Sequence, residues 1–430
     1  MTLKTKSPSR PSGLSKETVS WCLYDWANTA FGTVIITFIY SVYFARGIVG
    51  DETQGAALWS YAIGFSGLLI ALLSPVFGAI ADQSGRRKPW ILFFTLLCCV
   101  FTALLWFGTP SASTYLIVLL LLCLVVANIG LEMGTVFYNA MLPQIAAGNR
   151  MGRVSGIAWA MGYFGGLACL ITALFGIVGL GEIRPLISLP QENSEHLRAV
   201  APLTALWLLL FSLPLFFFVS EKERGDFSYK GIIRQSFRTL GQTILSFKEN
   251  KNLGLFLIAS ALYRDGLNTL FAVGGIYAAG EFGMEFDEIL MFAIGLNVSA
   301  GLGAAAFAFL DDLKGSKLTI SLALLGLIGL GIAILLVDDK ATFMVLALFL
   351  GIFMGPAQAA SRTLAGRLAP EGIITQTYGF YAFTGKSIAF TGPLLYGLMT
   401  DLFGTQQAGM VSIIAFWAVG LFLLSFVREK

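Results

Sequence analysis

Twelve apolar stretches, each long enough to cross a bilayer, fill this 430-residue chain, and short polar motifs return in the second half in the order of the first. About 20 apolar residues suffice for a hydrocarbon core of about 30 Å. The stretches cover 20–46, 56–81, 89–108, 113–141, 153–180, 200–219, 253–279, 287–310, 317–337, 341–364, 375–400 and 407–427. Asp25-Trp-Ala-Asn28-Thr29 is echoed by Asp265-Gly-Leu-Asn268-Thr269, Asp82-Gln-Ser-Gly85 by Asp312-Leu-Lys-Gly315, and Gly130-Leu-Glu-Met133-Gly134 by Gly351-Ile-Phe-Met354-Gly355. The offsets, 240, 230 and 221, fall slowly, as they would if loops shortened after an internal duplication. The expected fold is an all-α membrane protein with twelve transmembrane helices in two pseudo-symmetric six-helix bundles. Its parts are a tail (1–19), a first bundle (20–219), a linker (220–252) and a second bundle (253–430).

Hydrophobic residues make up 56% of the chain and charged residues 12%, with a mean hydropathy of +0.78, which excludes a soluble domain carrying roughly a quarter charged residues. Basic residues sort by face. The tail, the loop with Arg86, Arg87 and Lys88, the pair Arg150 and Arg153, the linker, and Lys314, Lys317, Arg362, Arg367, Arg428 and Lys430 place 22 on one side. The other side holds Arg46, Arg184, Arg198 and Lys340, and an acidic loop with Glu281, Glu285, Asp287 and Glu288. The rule that basic loops stay inside predicts cytoplasmic termini in a cell membrane, plasma or inner. Lys4, Lys6, Arg10 and Lys16 without a short apolar core read as a cytoplasmic tail, not a cleaved signal. In the linker, Ile233, Phe237, Leu240, Ile244 and Phe247 recur at helical spacing, which suits a basic helix on the inner leaflet or a plain surface helix.

Several chemistries are not expected. His196 is the only histidine and the five cysteines lie in or beside apolar spans, so no metal or cofactor is expected. No phosphate-cradling Gly-x-x-x-x-Gly-Lys-Ser/Thr loop and no recognisable nucleophile with its base occur, which argues against an enzyme. The partners expected are a small-molecule solute, the bilayer and protons, with no nucleic acid, for a monomer.

Ionisable groups at bilayer depth are costly unless paired or wetted. Here they are Asp25, Glu132, Arg264, Asp265 and Lys386. Asp265 and Lys386 stand at similar heights on the seventh and eleventh spans and could pair, leaving Arg264 to hold an anion. Asn128, Glu132, Thr135 and Asn139 share one face of the fourth span. Gly351, Gly355, Gln358 and Arg362 form a matching stripe on the tenth, and Asp25, Asn28, Thr29 and Gly32 align on the first. Such stripes line water or bond neighbouring helices. Asp25, Asn28, Thr29, Asn128, Glu132, Asn139, Arg264, Asp265, Asn268, Gln358 and Lys386 are therefore the candidate solute or proton pathway, with proton exchange at Asp25 or Glu132.

Gly78-Ala-Ile-Ala-Asp82-Gln-Ser-Gly85-Arg86-Arg87-Lys88 resembles the loop between the second and third helices of the major facilitator superfamily. Asp82 closes a helix at its carboxyl end, where negative charge is disfavoured, so it needs a partner such as Arg86 or the start of the eleventh span near Thr375 to Tyr378. The resemblance implies that Gly78, Asp82, Gly85 and Arg86 form a latch holding the cytoplasmic ends together in the outward-open state. The second copy, Asp312 to Lys317, reads as degenerate.

Tyr24 to Phe31, Tyr263-Arg264-Asp265-Gly266, Gly274-Gly275-Ile276-Tyr277 and Gly355-Pro356-Ala-Gln358-Ala-Ala-Ser361-Arg362 look like the vacuole-effluxer branch of that superfamily. Ser155-Gly156 to Gly165-Gly166 and Gly392-Pro393 do too. The branch is implied to export amino acids. The function expected is a secondary transporter moving a small polar, amino-acid-like solute by alternating access. A lipid or drug exporter of the same fold and a nontransporting sensor are the alternatives.

Overall fold

With no water to bond exposed backbone in hydrocarbon, a chain this apolar must satisfy its peptide groups within helices or a closed barrel. The computed structural model, which describes residues 15–146, 150–179, 184–221 and 250–429, is helical, with no strand among the described residues. The amphipathic stretch from Ile233 to Phe247 lies outside them.

The helices are α1 (Lys16–Val49), α2 (Glu52–Ser84), α3 (Lys88–Phe107), α4 (Thr114–Ile145), α5 (Met151–Val178) and α6 (Glu195–Phe218). The second half holds α7 (Lys251–Phe282), α8 (Phe286–Lys314), α9 (Ser316–Leu335), α10 (Lys340–Leu368), α11 in two pieces (Ile374–Ile388 and Thr391–Phe403) and α12 (Gln406–Ser425). By length and composition, ten of these are apolar enough throughout to cross a membrane among the described residues. The two that fall short are α7, which carries Arg264 and Asp265 at mid-length, and α11, which breaks at Ala389 and Phe390. Side chains of Ser15, Asp51 and Asp339 accept backbone N–H groups at the starts of α1, α2 and α10, and Gly85 ends α2 at φ 66°.

Packing repeats between halves. In the first, α1 packs on α6, α2 and α3 on α4, and α3 on α6; in the second, α7 packs on α12, α8 and α9 on α10, and α9 on α12. The halves meet through two equivalent pairs, α2 with α11 and α5 with α8. Lipid supplies no hydrophobic push between helices, so close approach must do the work. A Cβ at Gly78 would come within 2.8 Å of the Thr375 carbonyl, one at Gly379 within 2.5 Å of the Ser74 carbonyl, and one at Gly156 within 2.6 Å of the Ala304 carbonyl.

The basic-loop ends carry a second repeat. Glu221 accepts the backbone N–H groups of Arg87 and Lys88, while Lys88 Nζ donates to the carbonyls of Phe216 and Val219 at 2.8 and 2.7 Å. In the second half Glu429 accepts from Ser316 and Lys317 at 2.8 and 2.6 Å, and Lys317 Nζ donates to the Ser425 carbonyl at 2.7 Å. Each set ties the amino end of a third helix to the carboxyl end of a sixth, matching charge to the dipole at both ends.

Gly379→Val should cost about 1–3 kcal/mol by overpacking and lower the thermal unfolding midpoint in detergent. Gly64→Val on α2, where a Cβ would meet nothing within 4 Å, should leave it nearly unchanged. Equal midpoints for the two variants would show that the α2–α11 contact is loose.

Candidate transport cavity and gate

Between the halves lies a cavity of about 870 Å³, within the range of small-molecule sites. Asn28, Thr29, Thr33, Thr37, Trp159 and Tyr163 line it from the first half; Asn268, Asn297 and Gln358, with Phe271, Tyr277, Phe292 and Phe343, line it from the second. Amides, hydroxyls and aromatic rings face the space, and no charged side chain is in the lining among the described residues. The α1 wall is wound as a π-helix over Phe31–Phe38, and Thr37 Oγ1 donates to the Gly32 carbonyl at 2.9 Å. Such wide turns gather at functional sites.

The cavity ends at mid-height, where Tyr163 donates to Gln358 Oε1 across the halves at 2.7 Å. One turn further along α10, Arg362 passes into the first bundle. Its Nη1 reaches Asp25 Oδ2 at 2.6 Å and Asn139 Oδ1 at 3.4 Å, its Nε donates to Ser155 Oγ at 2.9 Å and its Nη2 to the Ser155 carbonyl at 2.7 Å. Trp21, Tyr138 and Trp159 surround the guanidinium at 5.1, 5.8 and 5.7 Å. The side chain is 3% exposed. Sorting Arg362 with the loop cations is therefore a mistake; it stands roughly 9 Å inside the end of its helix at 1.5 Å per residue. Its four-residue spacing from Gln358 on the polar stripe was the signal available in sequence.

The other nominated groups separate. Asn28, Thr29, Asn268 and Gln358 reach the cavity; Asp25 and Asn139 lie beneath it on Arg362. Asn128 does not: its amide donates to Ser66 Oγ on α2 at 2.7 Å, a bond between neighbouring helices. The expected Asp265–Lys386 pair does not form. Lys386 pairs with Glu132 across the halves at 2.7 Å, because α11 packs beside α4, while Asp265 accepts the Gly392 N–H at the α11 break. Arg264 stacks on Tyr381 at 3.9 Å and donates to its carbonyl at 3.2 Å, with no carboxylate within ion-pair distance among the described residues.

At the basic-loop end, Asp82 accepts the N–H groups of Thr375 and Gln376 at 2.9 and 2.7 Å, so it caps the amino end of α11. The Arg87 guanidinium, next in the chain to Arg86, stands at ion-pair distance from Asp82, at 3.6 Å. Gly78 lets α11 approach and Gly85 turns the chain. The second copy keeps the same job: Asp312 accepts the Arg153 N–H at 3.1 Å at the start of α5, and Asp311 pairs with Arg367 at 2.9 Å. The halves are thus clamped from this end up to mid-height.

Asp25→Asn should cost about 3–5 kcal/mol, because it strands a buried guanidinium. Asp25→Leu with Arg362→Met should recover most of that loss. Unfolding in detergent reads both, and an Asp25→Asn variant as stable as the parent would refute the pairing.

The profile of the family described as "Vacuole effluxer Atg22 like" matches residues 41–430. An uncharacterized MFS-type transporter of Bacillus subtilis, YxiO, is 28% identical over 97% of this chain and 96% of its own length. Autophagy-related protein 22 of Kluyveromyces lactis is 23% identical over 81% of this chain and 75% of its own length. Among solved structures, the major facilitator transporter FucP in its outward conformation superposes with a TM-score of 0.74 at 14% identity, covering 97% of this chain and 100% of that one. The proton:xylose symporter XylE gives 0.71 at 14% identity over 96% of each chain. The fold is that of the major facilitator superfamily, and the chain, a multi-pass membrane transporter, belongs to the vacuole effluxer Atg22-like family.

Proposed function

We propose that the protein is a secondary transporter that moves a small polar, amino-acid-like solute outward by alternating access, driven by a proton gradient. The cavity between the halves, lined by amides and hydroxyls and adjoined on one side by contacts that join the bundles, is the observation that carries this reading. The bonds of Arg362 to Asp25, of Asp82 to the start of α11 and of Asp312 to the start of α5 cross the two bundles, so these must break when access alternates. In this reading the clamped end and both termini are cytoplasmic, the membrane is that of the cell, and the protein acts as a monomer.

Amide and hydroxyl groups suit a solute read by hydrogen bonds, and Arg264, one turn deeper on α7 than Asn268, would receive its carboxylate once the floor opens. The apolar wall of Phe38, Phe271, Ile276, Phe292 and Phe343 favours a second reading, export of an amphipathic or lipid-like molecule.

Counterflow of labelled amino acids into proteoliposomes, with and without an imposed pH difference, tests the proposal. Arg264→Gln should slow exchange of carboxylate-bearing cargo at least tenfold. Failure of all amino acids to exchange, together with transfer of labelled lipid, would replace the first reading with the second.

A further inference from the structure

Asp265 is the one carboxylate at mid-bilayer, among the described residues, without a cation. Asp25 holds Arg362 at 2.6 Å and Glu132 holds Lys386 at 2.7 Å, but Asp265, 1% exposed, has no Lys or Arg within ion-pair distance among the described residues. Its Oδ2 accepts the Gly392 N–H at 2.8 Å and lies 2.6 Å from Thr391 Oγ1. Its Oδ1 is buried with no hydrogen-bond partner.

The Thr391 hydroxyl has two acceptors within reach. The hydroxyl oxygen is also 2.6 Å from the Ile388 carbonyl, which can only accept. A hydroxyl has one proton to give and two lone pairs to receive. If it donates to Ile388, the short contact to Asp265 needs a proton on the carboxyl, with Oδ2–H donating to Thr391 Oγ1. A carboxylate buried with no cation is in any case costly unless it takes a proton.

We infer that Asp265 is a proton-binding site of this transporter, occupied in the conformation clamped at the basic-loop end, and that its deprotonation reshapes the break in α11. The inference rests on the transport reading above and moves the proton from Asp25 and Glu132 to Asp265.

The surroundings fit a site that both takes and releases a proton. The second piece of α11, Thr391–Phe403, points its amino end at the carboxyl, which favours the charged form and offsets part of the cost of burial. A Cβ at Gly392 would lie 2.0 Å from Thr269 Oγ1 and 3.1 Å from Asp265 Oδ1, so glycine there permits the contact. Among the described residues no other carboxylate or cation pairs with it; on α7 Tyr263 shares a hydrogen bond with Ser361, Tyr277 and Glu281 stand three turns or more further along, and Tyr396 and Asp401 stand beyond Gly392 on α11. On α7 itself Arg264 is turned onto Tyr381; on α11 Lys386 is bound to Glu132; on α10 Arg362 is bound to Asp25; α12 has no titratable residue, and α8 has none from Ile289 to Leu310. When the proton leaves, the carboxylate claims the Thr391 hydroxyl proton, and the bond from Thr391 to Ile388 across the break is lost.

Infrared spectroscopy of the purified protein in proteoliposomes tests this without knowledge of the cargo, so it stands apart from the counterflow result. The parent should show the carbonyl stretch of a buried carboxylic acid at neutral pH, bleaching as pH rises. Asp265→Asn should remove it and Thr391→Val should shift its frequency. A parent with no such band, a band that survives Asp265→Asn, or one indifferent to Thr391→Val would overturn the assignment. So would bleaching by sodium at fixed pH, which would make this a sodium site.

Discussion

A guanidinium from one bundle sunk into the other organises the structure. Arg362 leaves α10 and spends its nitrogens on α1, α4 and α5, on Asp25, Asn139 and Ser155. A charge so far from water is tolerable only with a counter-charge and bonds at most of its donors, and here those come from the opposite half. The two bundles are therefore not merely adjacent: separating them at this end breaks the ion pair and the hydrogen bonds of Arg362 together. Above it the Tyr163–Gln358 bond and the Lys386–Glu132 pair still join the halves, and the cavity lies beyond the Tyr163–Gln358 bond.

The latch helices extend this arrangement to the membrane surface. Asp82 at the start of α11 and Asp312 at the start of α5 place a carboxylate on a helix amino end across the interface, where dipole and charge agree. The two caps sit at equivalent points of the duplicated fold. The mid-membrane charges do not follow that symmetry. Asp25 and Asp265 occupy equivalent places in the repeated motif, yet one meets an arginine and the other a helix end. Duplication supplied a symmetric frame, and the asymmetric charges within it set the two halves to different tasks.

This division explains what could be read from the sequence. Membrane class, duplication and family were legible because they reside in local composition and in motifs whose residues are contiguous. Of the residues that line the cavity, Asn28, Thr29 and Gln358 stand out in the sequence by helical spacing and Asn268 by the repeated motif. Pairings were not legible. Lys386 meets Glu132 and not Asp265, and Asn128 bonds α2, because the rotation of each helix about its axis is fixed by packing between segments more than a hundred residues apart or on a neighbouring helix. Arg362 reads both as a basic-loop cation and as a member of the tenth span's polar stripe, and its depth follows from how far α10 continues past it. Twelve apolar stretches gave ten unambiguous spans because α7 and α11, the helices that carry charge and a break, trade apolarity for chemistry.

Gly78 and Gly379 on one seam, and Gly156 on the other, bring bare backbone against backbone where most interfaces interlock long side chains. An interlocked seam must lift each side chain over its neighbour before it can slip, which roughens the path between two arrangements. Smooth seams present few steric barriers to rolling one bundle on the other, which leaves the polar fasteners as the contacts that resist such a movement.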